Sequence, residues 1–254
     1  MGKIVSLFVI FAILFMYSIA NASAPSFALL GDSMTWIGGD SCQNPTGWSY
    51  YLKESYPESD IMMFARSGST WTNTSLTRRD PKGYSEMLDD GNVVFNQALR
   101  LISSDYNPDI IIIYAGANDA WFERERPDIH KKIEVPSGTL VNAEPGLYTS
   151  LESSIELSCR LLQESFPEAK ILLVTPVEMT KTSVDKINRI GDVIEATGNR
   201  LGLTTLRADK NVNIRRNKEF GEKKESTTDG VHTNRSGAKK IADFIIPAIN
   251  EMNF

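Results

Sequence analysis

The sequence predicts an α/β domain in which helices cover both faces of an open, mostly parallel β-sheet. Short apolar runs alternate along the chain with longer amphipathic segments, which is the order of elements in strand–helix–strand folds. The apolar runs are continuous rather than alternating, as in strands that are buried on both faces of a parallel sheet. Of the 254 residues, 41% are hydrophobic and 23% charged, and this composition excludes a disordered, collagen-like or polytopic membrane protein.

Five apolar runs are predicted to be the strands of this sheet. They cover residues 26–30, 60–65, 109–115, 169–174 and 204–207. The third run is the clearest, because it contains consecutive β-branched isoleucines that favour extended structure. The fifth run is the shortest and the weakest signal. The first three runs end at or near a glycine, a residue that allows the chain to turn.

Four amphipathic segments are predicted to be helices, because their apolar residues recur every three or four positions. They cover residues 93–103, 147–166, 184–201 and 236–252. Pro247 is expected to bend or fray the last of them, since proline lacks the N–H group that an inner helical turn needs. Residues 121–147 contain three prolines and are predicted to form a long excursion after the third strand. Long loops in compact domains are often functional.

Residues 1–22 are predicted to be a secretory signal peptide. Lys3 precedes an uncharged apolar run, and Ala20-Asn21-Ala22 matches the small-residue pattern of a cleavage site. Cleavage after Ala22 would leave a domain of residues 23–254 in the periplasm or outside the cell, with no stable membrane anchor. An uncleaved anchor helix is the alternative, although the apolar run is close to the shortest length, about 17 residues, that spans a bilayer.

Charge and rare side chains restrict the classes of function. The formal net charge is −5, so the chain offers no basic surface for a nucleic-acid partner. Two cysteines exclude a disulfide-dense scaffold or a zinc finger, and whether Cys42 and Cys159 pair in an exported protein is left open. Neither a Gly-rich phosphate loop nor a metal-ligand cluster occurs in the sequence, so we expect catalysis without a cofactor or metal. Oligomeric state is left open as well.

The first strand leads directly into Gly31-Asp32-Ser33. Ligands bind at the carboxyl ends of the strands in open parallel sheets, so the Ser33 hydroxyl is predicted to face a site. His232 could act as its base, with Asp229 holding the imidazole. The other histidine, His130, lies among charged residues typical of a solvated loop. The structural alternatives are a tight turn at Ser33 and a helix-entry loop around Asp229.

Acyl transfer also needs hydrogen-bond donors for the oxyanion that develops in the transition state. Gly68 follows the second predicted strand and could present its backbone N–H group. Asn118 follows the third predicted strand and could present its side-chain amide. Either residue could instead belong to an ordinary turn, where glycine supplies a positive φ angle and asparagine a local hydrogen bond.

Four sequence blocks, taken in order, resemble the SGNH hydrolases, also called GDSL esterases. They are Gly31-Asp32-Ser33, Ser67-Gly68, Gly116-Ala117-Asn118-Asp119 and Asp229-Gly230-Val231-His232. The resemblance covers nearly the whole predicted mature chain and implies a three-layer α/β/α sandwich that hydrolyses esters. It implies that Ser33 is the nucleophile and that Asp229 and His232 complete the triad. It further implies an oxyanion hole formed by the Ser33 N–H group, Gly68 and Asn118.

Two positions depart from the commonest pattern of these enzymes. Met34 stands where leucine is usual, and Phe64 stands where many members have asparagine. Neither position carries the chemistry that the resemblance implies. The departures therefore leave the predicted site residues complete.

Tryptophans occur at a regular interval from the predicted site residues. Trp36 follows Ser33, Trp71 follows Gly68 and Trp121 follows Asn118, each by three positions. They could form an aromatic rim that contacts a sugar ring or an acyl chain, or they could simply pack on neighbouring elements. With export, a rim favours a secreted esterase that deacylates, for example deacetylates, a carbohydrate. The alternatives are an O-acyltransferase, a lysophospholipase or thioesterase, and an inert glycan-binding module.

Overall fold

The computed structural model describes residues 24–72, 93–138 and 145–252. The predicted signal peptide, residues 1–22, lies outside the described residues. Within the described ranges the chain forms five strands: β1 (Phe27–Gly31), β2 (Ile61–Met63), β3 (Ile110–Tyr114), β4 (Lys170–Val174) and β5 (Thr204–Leu206).

The same ranges contain eight α-helices. These are α1 (Ser33–Trp36), α2 (Trp48–Ser55), α3 (Val94–Ile102), α4 (Ala117–Trp121), α5 (Leu151–Ser165), α6 (Val184–Arg200), α7 (Ala208–Asn211) and α8 (Arg235–Asn250). The four predicted helices correspond to α3, α5, α6 and α8. Helix α8 contains Pro247 and continues to Asn250, because Ile245 and Ile249 on either side of the proline are buried in the core.

The five strands form one parallel sheet in the order β2-β1-β3-β4-β5. This confirms the predicted α/β fold class. Strand β1 pairs with β2 on one side and with β3 on the other, so successive crossovers from β1 and β2 run in opposite directions across the sheet. Such a reversal opens a crevice at the carboxyl ends of the two central strands, where ligands bind in folds of this kind.

Helices cover both faces of the sheet, which gives three layers. Every residue of β1 and β3 is buried, and successive side chains point to opposite faces. Ile111 and Ile113 join a core with helices α3, α5 and α6, whereas Ile110 and Ile112 join a core with helices α2, α7 and α8. Burial on both faces explains why these strands contain continuous rather than alternating apolar residues.

The structure differs from the predicted elements in two places. Strand β2 has three residues instead of the six predicted, because the regular pairing with β1 ends at Met63, after which the N–H groups of Phe64 and Ala65 both donate to the Leu29 carbonyl. Helix α2 was not predicted, and it carries a short apolar stripe in which Trp48 and Leu52 are buried one turn apart. Its eight residues contain too few apolar positions for a clear helical period.

The cysteines do not form a disulfide. Cys42 and Cys159 are both free and buried. They belong to the cores on opposite faces of the sheet, so the sheet separates the two thiols. Among the residues that the structure describes, no group of three His, Cys, Asp or Glu side chains could hold a metal ion, and no helix is long and apolar enough to span a membrane.

Candidate active site

The predicted site residues meet at the carboxyl edge of the sheet. Ser33 begins the short helix after β1, and Asn118 lies in the short helix after β3. Gly68 lies in the turn after β2, and the loop that carries Asp229 and His232 precedes α8. Because β1 is flanked by β2 and β3, three of these segments are neighbours through the strand order alone.

Gly31 allows β1 to turn sharply into the segment that carries Ser33. Its φ angle is +137°, a conformation that L-residues with a side chain rarely adopt. A Cβ atom added at Gly31 would lie 2.0 Å from the carbonyl oxygen of Tyr114 on the neighbouring strand. Asp32 then caps the helix, since its Oδ1 accepts a 2.9 Å hydrogen bond from the Met34 N–H group. Ser33 thereby becomes the first helical residue, directly above the end of β1.

A continuous chain of hydrogen bonds connects Ser33, His232 and Asp229. The Oγ atom of Ser33 lies 3.0 Å from Nε2 of His232. The Nδ1 atom of His232 lies 2.7 Å from Oδ2 of Asp229. The other carboxylate oxygen of Asp229 accepts backbone N–H groups of Val231 at 2.9 Å and His232 at 2.7 Å. The loop therefore holds the carboxylate and the imidazole in one fixed relation.

The charge on Asp229 determines which nitrogen of His232 carries the proton. Partial burial by itself raises the pKa of Asp229, but the hydrogen bonds from the His232 ring and from the two backbone N–H groups lower it below its ordinary value. An ionised carboxylate can only accept hydrogen bonds, so Nδ1 of His232 is the donor in this pair. In the neutral imidazole, Nε2 is then free to accept the Ser33 hydroxyl proton.

The three predicted oxyanion-hole donors lie in the segments that follow the neighbouring strands β1, β2 and β3. Within the described part of the chain, the backbone N–H groups of Ser33 and Gly68 make no hydrogen bond. The Asn118 side chain donates one amide hydrogen to the carbonyl oxygen of Ser69 at 2.9 Å. A primary amide has two hydrogens, so Asn118 retains a second one for a ligand.

A family model supports the resemblance of the four sequence blocks to the GDSL esterases. The model of the GDSL-like lipase/acylhydrolase family matches residues 29–240, from β1 into α8. The chain belongs to this family. A search of curated protein sequences finds no match to it.

Solved structures of GDSL proteins and other chains share the fold. A protein from Lactobacillus plantarum superposes with a TM-score of 0.62 at 16% identity, covering 92% of this chain and 100% of that one. An acetyl xylan esterase gives a TM-score of 0.56 at 18% identity, covering 88% and 99%. A member of the lipolytic G-D-S-L family from Veillonella parvula gives 0.52 at 10% identity, covering 89% and 99%. At these identities the similarity shows the fold alone.

Two buried side chains, Asp119 and Gln97, connect the segments of the candidate site, and neither was predicted to do so from the sequence. Asp119 accepts the N–H groups of Trp71 at 2.9 Å and Thr72 at 3.0 Å, and also the Thr72 hydroxyl at 2.7 Å. It thus ties the segment after Gly68 to the helix that carries Asn118. The only sequence signal was its place directly after Asn118, which also fits an ordinary Asn-Asp turn.

Gln97 connects helix α3 to the end of β1. Its Oε1 accepts the Gly31 N–H group at 2.7 Å, and its Nε2 donates to the Gly31 carbonyl at 2.9 Å and to the Ser69 hydroxyl at 2.9 Å. The side chain is wholly buried. It gives the Gly31 N–H group its acceptor, and it is a second donor to the Gly31 carbonyl, which also accepts the Arg66 N–H group at 3.1 Å. A glutamine inside an amphipathic helix gives no sequence signal of this role.

Asp32 carries an unusual buried carboxyl group beside Ser33. The residue is 1% exposed, and its Oδ2 atom has no hydrogen-bond partner among the described residues. Burial raises the pKa of Asp32 to about 7, and the nearby charge of Asp119 acts in the same direction, whereas the Met34 N–H group opposes the rise. The family motif thus contains a carboxyl group that titrates near neutral pH.

The three predicted rim tryptophans have different environments. The prediction for Trp71 is wrong, because its side chain is 0% exposed and packs in the core with Phe64 and Val93. Trp36 is 39% exposed, one helical turn after Ser33. Trp121 is partly buried and stacks on Phe122 with 5.1 Å between the ring centroids.

The second histidine lies apart from the triad. The Nε2 atom of His130 is 2.8 Å from Oε1 of Glu123, in an exposed ion pair or hydrogen bond. Glu123 also binds Lys186 and Arg189. His130 therefore has a partner of its own, and His232 is the histidine that contacts Ser33.

Proposed function

We propose that this chain is an exported serine esterase that hydrolyses carboxylic esters with Ser33 as its nucleophile. The observation that carries this proposal is the hydrogen-bonded chain from Ser33 Oγ through His232 to Asp229. A hydroxyl, a base within hydrogen-bond reach and a carboxylate that orients the base are the groups that acyl transfer requires. Export rests on the predicted signal peptide at residues 1–22.

In the first half of the reaction, Ser33 Oγ attacks the carbonyl carbon of the ester while Nε2 of His232 takes the hydroxyl proton. Asp229 stabilises the resulting imidazolium through Nδ1. The negative charge on the former carbonyl oxygen is met by the N–H groups of Ser33 and Gly68 and by the Asn118 amide. The bond between the acyl carbon and the alcohol oxygen then breaks, which leaves the acyl group on Ser33. His232 gives its proton to the leaving alcohol.

In the second half, water replaces the alcohol. His232 removes a proton from the water, whose oxygen attacks the acyl carbon on Ser33. The same three donors stabilise the second oxyanion, and each such donor lowers a barrier of this kind by roughly 3 kcal/mol. Breaking the bond to Ser33 Oγ releases the carboxylic acid, and His232 reprotonates the serine.

We further propose an acylated, for example acetylated, carbohydrate as the substrate class. A cavity lies next to the loop that carries Asp229 and His232. Charged and polar side chains such as Arg124, Lys181 and Thr180 line it, which suits a hydrophilic substrate better than a long acyl chain. Trp36 is exposed one turn from Ser33, where its ring could contact a sugar. An acetyl xylan esterase is among the proteins that share the fold.

Hydrolysis of p-nitrophenyl esters of increasing acyl length tests this proposal. We expect activity that is highest with acetate and falls as the acyl chain lengthens. Ser33→Ala and His232→Ala should each lower kcat by roughly 10³-fold or more, because either change removes a triad group. Asp229→Asn should lower kcat by a similar factor, since the amide favours the wrong tautomer of His232.

Two variants of the same residue types serve as controls. His130→Gln removes the other histidine, and Ser165→Ala removes an exposed serine at the end of α5, so both should retain the activity of the unchanged chain. Unchanged turnover in Ser33→Ala would contradict the proposed nucleophile. A preference for long acyl chains would leave the esterase assignment intact and contradict the carbohydrate substrate.

A further inference from the structure

The cavity next to the loop that carries Asp229 and His232 has a volume of about 560 Å³ and a positively charged lining. Its volume is in the range of small-molecule sites, which is about 300–1,000 Å³. Four cationic side chains and one carboxylate line it, namely Arg124, Lys181, Lys186, Arg216 and Glu125. A local excess of positive charge is unusual for a chain whose net charge is −5.

The cavity adjoins two elements of the candidate active site. Trp121 lines the cavity and lies three residues after Asn118 in α4, so the two side chains lie about one helical turn apart on the same face. On the other wall, the N–H group of Thr180 donates to the Gly230 carbonyl at 2.8 Å, and its hydroxyl donates to the same oxygen at 3.2 Å. Gly230 lies between Asp229 and His232. The cavity therefore adjoins both the helix that carries Asn118 and the loop that carries Asp229 and His232.

Three of the four cations lack a carboxylate partner. Lys186 forms an ion pair with Glu123 at 3.0 Å. Within the described ranges, no carboxylate oxygen lies within 4.0 Å of a charged nitrogen of Arg124, Lys181 or Arg216. The charge of these three side chains is therefore not neutralised by an ion pair within the described ranges, although Glu125 also lines the cavity and Glu178 accepts the Arg216 backbone N–H group at 2.8 Å.

Neutral contacts hold two of these cations in place. The Nε atom of Arg216 donates to the Thr182 carbonyl at 2.9 Å, and its guanidinium lies 4.7 Å from the centre of the Phe220 ring. The Lys181 ammonium lies 5.9 Å from the centre of the Trp121 ring. With Phe122 stacked on the same indole, Trp121 supports a cation here rather than offering an open face to a sugar.

We propose that this cavity binds a negatively charged group of the substrate, a carboxylate or a phosphate ester carried by the sugar next to the scissile ester. Charge-assisted hydrogen bonds from lysine and arginine are the ordinary means of binding either group. The inference rests on the proposed esterase function for its link to catalysis. The positive charge of the cavity does not depend on that function, because it follows from the contacts described above.

Direct binding tests the cavity independently of turnover. Galacturonate, glucose 6-phosphate and glucose are titrated into the full mature chain by calorimetry. We expect the acidic sugars to bind and glucose not to bind, and the two acids distinguish a carboxylate site from a phosphate site. In the double variant Lys181→Gln/Arg216→Gln, affinity for the acidic sugar should fall about tenfold or more, because a charge-assisted hydrogen bond is lost.

Two further variants keep this measurement falsifiable. Arg216→Lys keeps the positive charge while changing the hydrogen bonds of the side chain. It should therefore retain more affinity for the acidic sugar than Arg216→Gln does. Lys239→Gln removes an exposed lysine of α8 on the other face of the sheet and should bind like the unchanged chain. Binding of none of the sugars, equal binding of glucose, or affinity unaffected by Lys181→Gln/Arg216→Gln would overturn the proposal.

A matched pair of esters links the cavity to catalysis. O-acetyl galacturonic acid and its methyl ester differ by one charge, and kcat/KM should be higher for the acid. The double variant and added salt should reduce this preference, while Lys239→Gln should leave it unchanged. Acid-sugar binding without any Ser33-dependent hydrolysis would support the anion site and refute the esterase. Hydrolysis of both esters at equal rates would refute the anion site alone.

Discussion

At the scale of single residues, the site depends on polar atoms that each have a defined partner. Both ring nitrogens of His232 are engaged, one by Ser33 and the other by Asp229. The carboxylate of Asp229 in turn receives two backbone N–H groups, which keep it ionised. These contacts would preorganise His232 for its proposed role as base, and preorganised polar groups need not rearrange as charge develops.

Asp32 provides a prediction about stability and pH. Its pKa is about 7 in the folded chain, above the ordinary value of 3.8, so the folded state binds the proton more tightly than the unfolded state does. The stabilisation that the protonated group contributes is complete below about pH 4 and is lost as the pH rises through 7. Asp32→Asn keeps an oxygen acceptor for the Met34 N–H group but cannot ionise.

The free energy of unfolding, measured with urea between pH 4 and pH 7.5, checks this expectation. The stability of Asp32→Asn relative to the unchanged chain should rise across that range by about 4 kcal/mol, the value that corresponds to a pKa difference of this size. The comparison between the two chains cancels the other titrating groups. A difference that stays constant with pH would show that Asp32 does not titrate there.

At the scale of elements, the site is assembled from the ends of three neighbouring strands and one distant loop. Gln97 and Asp119 connect these ends by bonding to backbone groups, and each also bonds one hydroxyl, that of Ser69 or of Thr72. Both residues are buried, so each bond forms where unpaired polar groups are costly. The relative positions of Ser33, Gly68 and Asn118 therefore depend on hydrogen bonds between elements as well as on the sheet.

Gln97→Met tests this connection with a side chain of similar volume. The change leaves the Gly31 N–H group buried without a partner, so the free energy of unfolding should fall by about 1–3 kcal/mol. The kcat for p-nitrophenyl acetate should fall as well, because Gly31 and Ser69 flank the predicted nucleophile and oxyanion-hole segments. Gln163→Met is the control, since its amide bonds the Leu201 carbonyl at a partly exposed position away from the site. A normal kcat in folded Gln97→Met would show that Gln97 serves stability alone.

At the scale of the whole molecule, the sheet separates two independent cores. Cys159 lies in the core with α3, α5 and α6, and Cys42 lies in the core with α2, α7 and α8. Burial raises the pKa of both thiols above the ordinary value. The thiolate is the reactive form, so both cysteines are protected even in an oxidising compartment.

Thiol titration checks this arrangement. Ellman's reagent should react with two thiols per chain when the mature protein is denatured without a reductant, and much more slowly with the folded protein. Because no disulfide constrains the unfolded chain, dithiothreitol should leave the midpoint of thermal unfolding unchanged. Fewer than two thiols in the denatured, unreduced protein would contradict the separation of Cys42 and Cys159.

The sequence by itself determined the fold class, four of the helices and the motif blocks of the GDSL family. Strands β1 and β3 were predictable because short, continuous apolar runs are typical of strands that are buried on both faces of a parallel sheet. The motif blocks were predictable because each follows a strand end or precedes the last helix, and their order matches one family. These signals are local in the sequence, so periodicity and residue type suffice to read them.

The tertiary structure alone decided which side chains support the candidate site and which line a cavity. Trp71 and Trp121 occupy equivalent places in the sequence, yet one is sealed in the core and the other lines a charged cavity. Gln97 bonds to Gly31, which lies 66 positions away in the sequence. Arg216 and Trp121 of α4 are far apart in the sequence, and the fold brings both to the lining of one cavity. Such contacts depend on how the helices pack across the sheet, and burial and charge pairing are properties of that packing rather than of any local pattern.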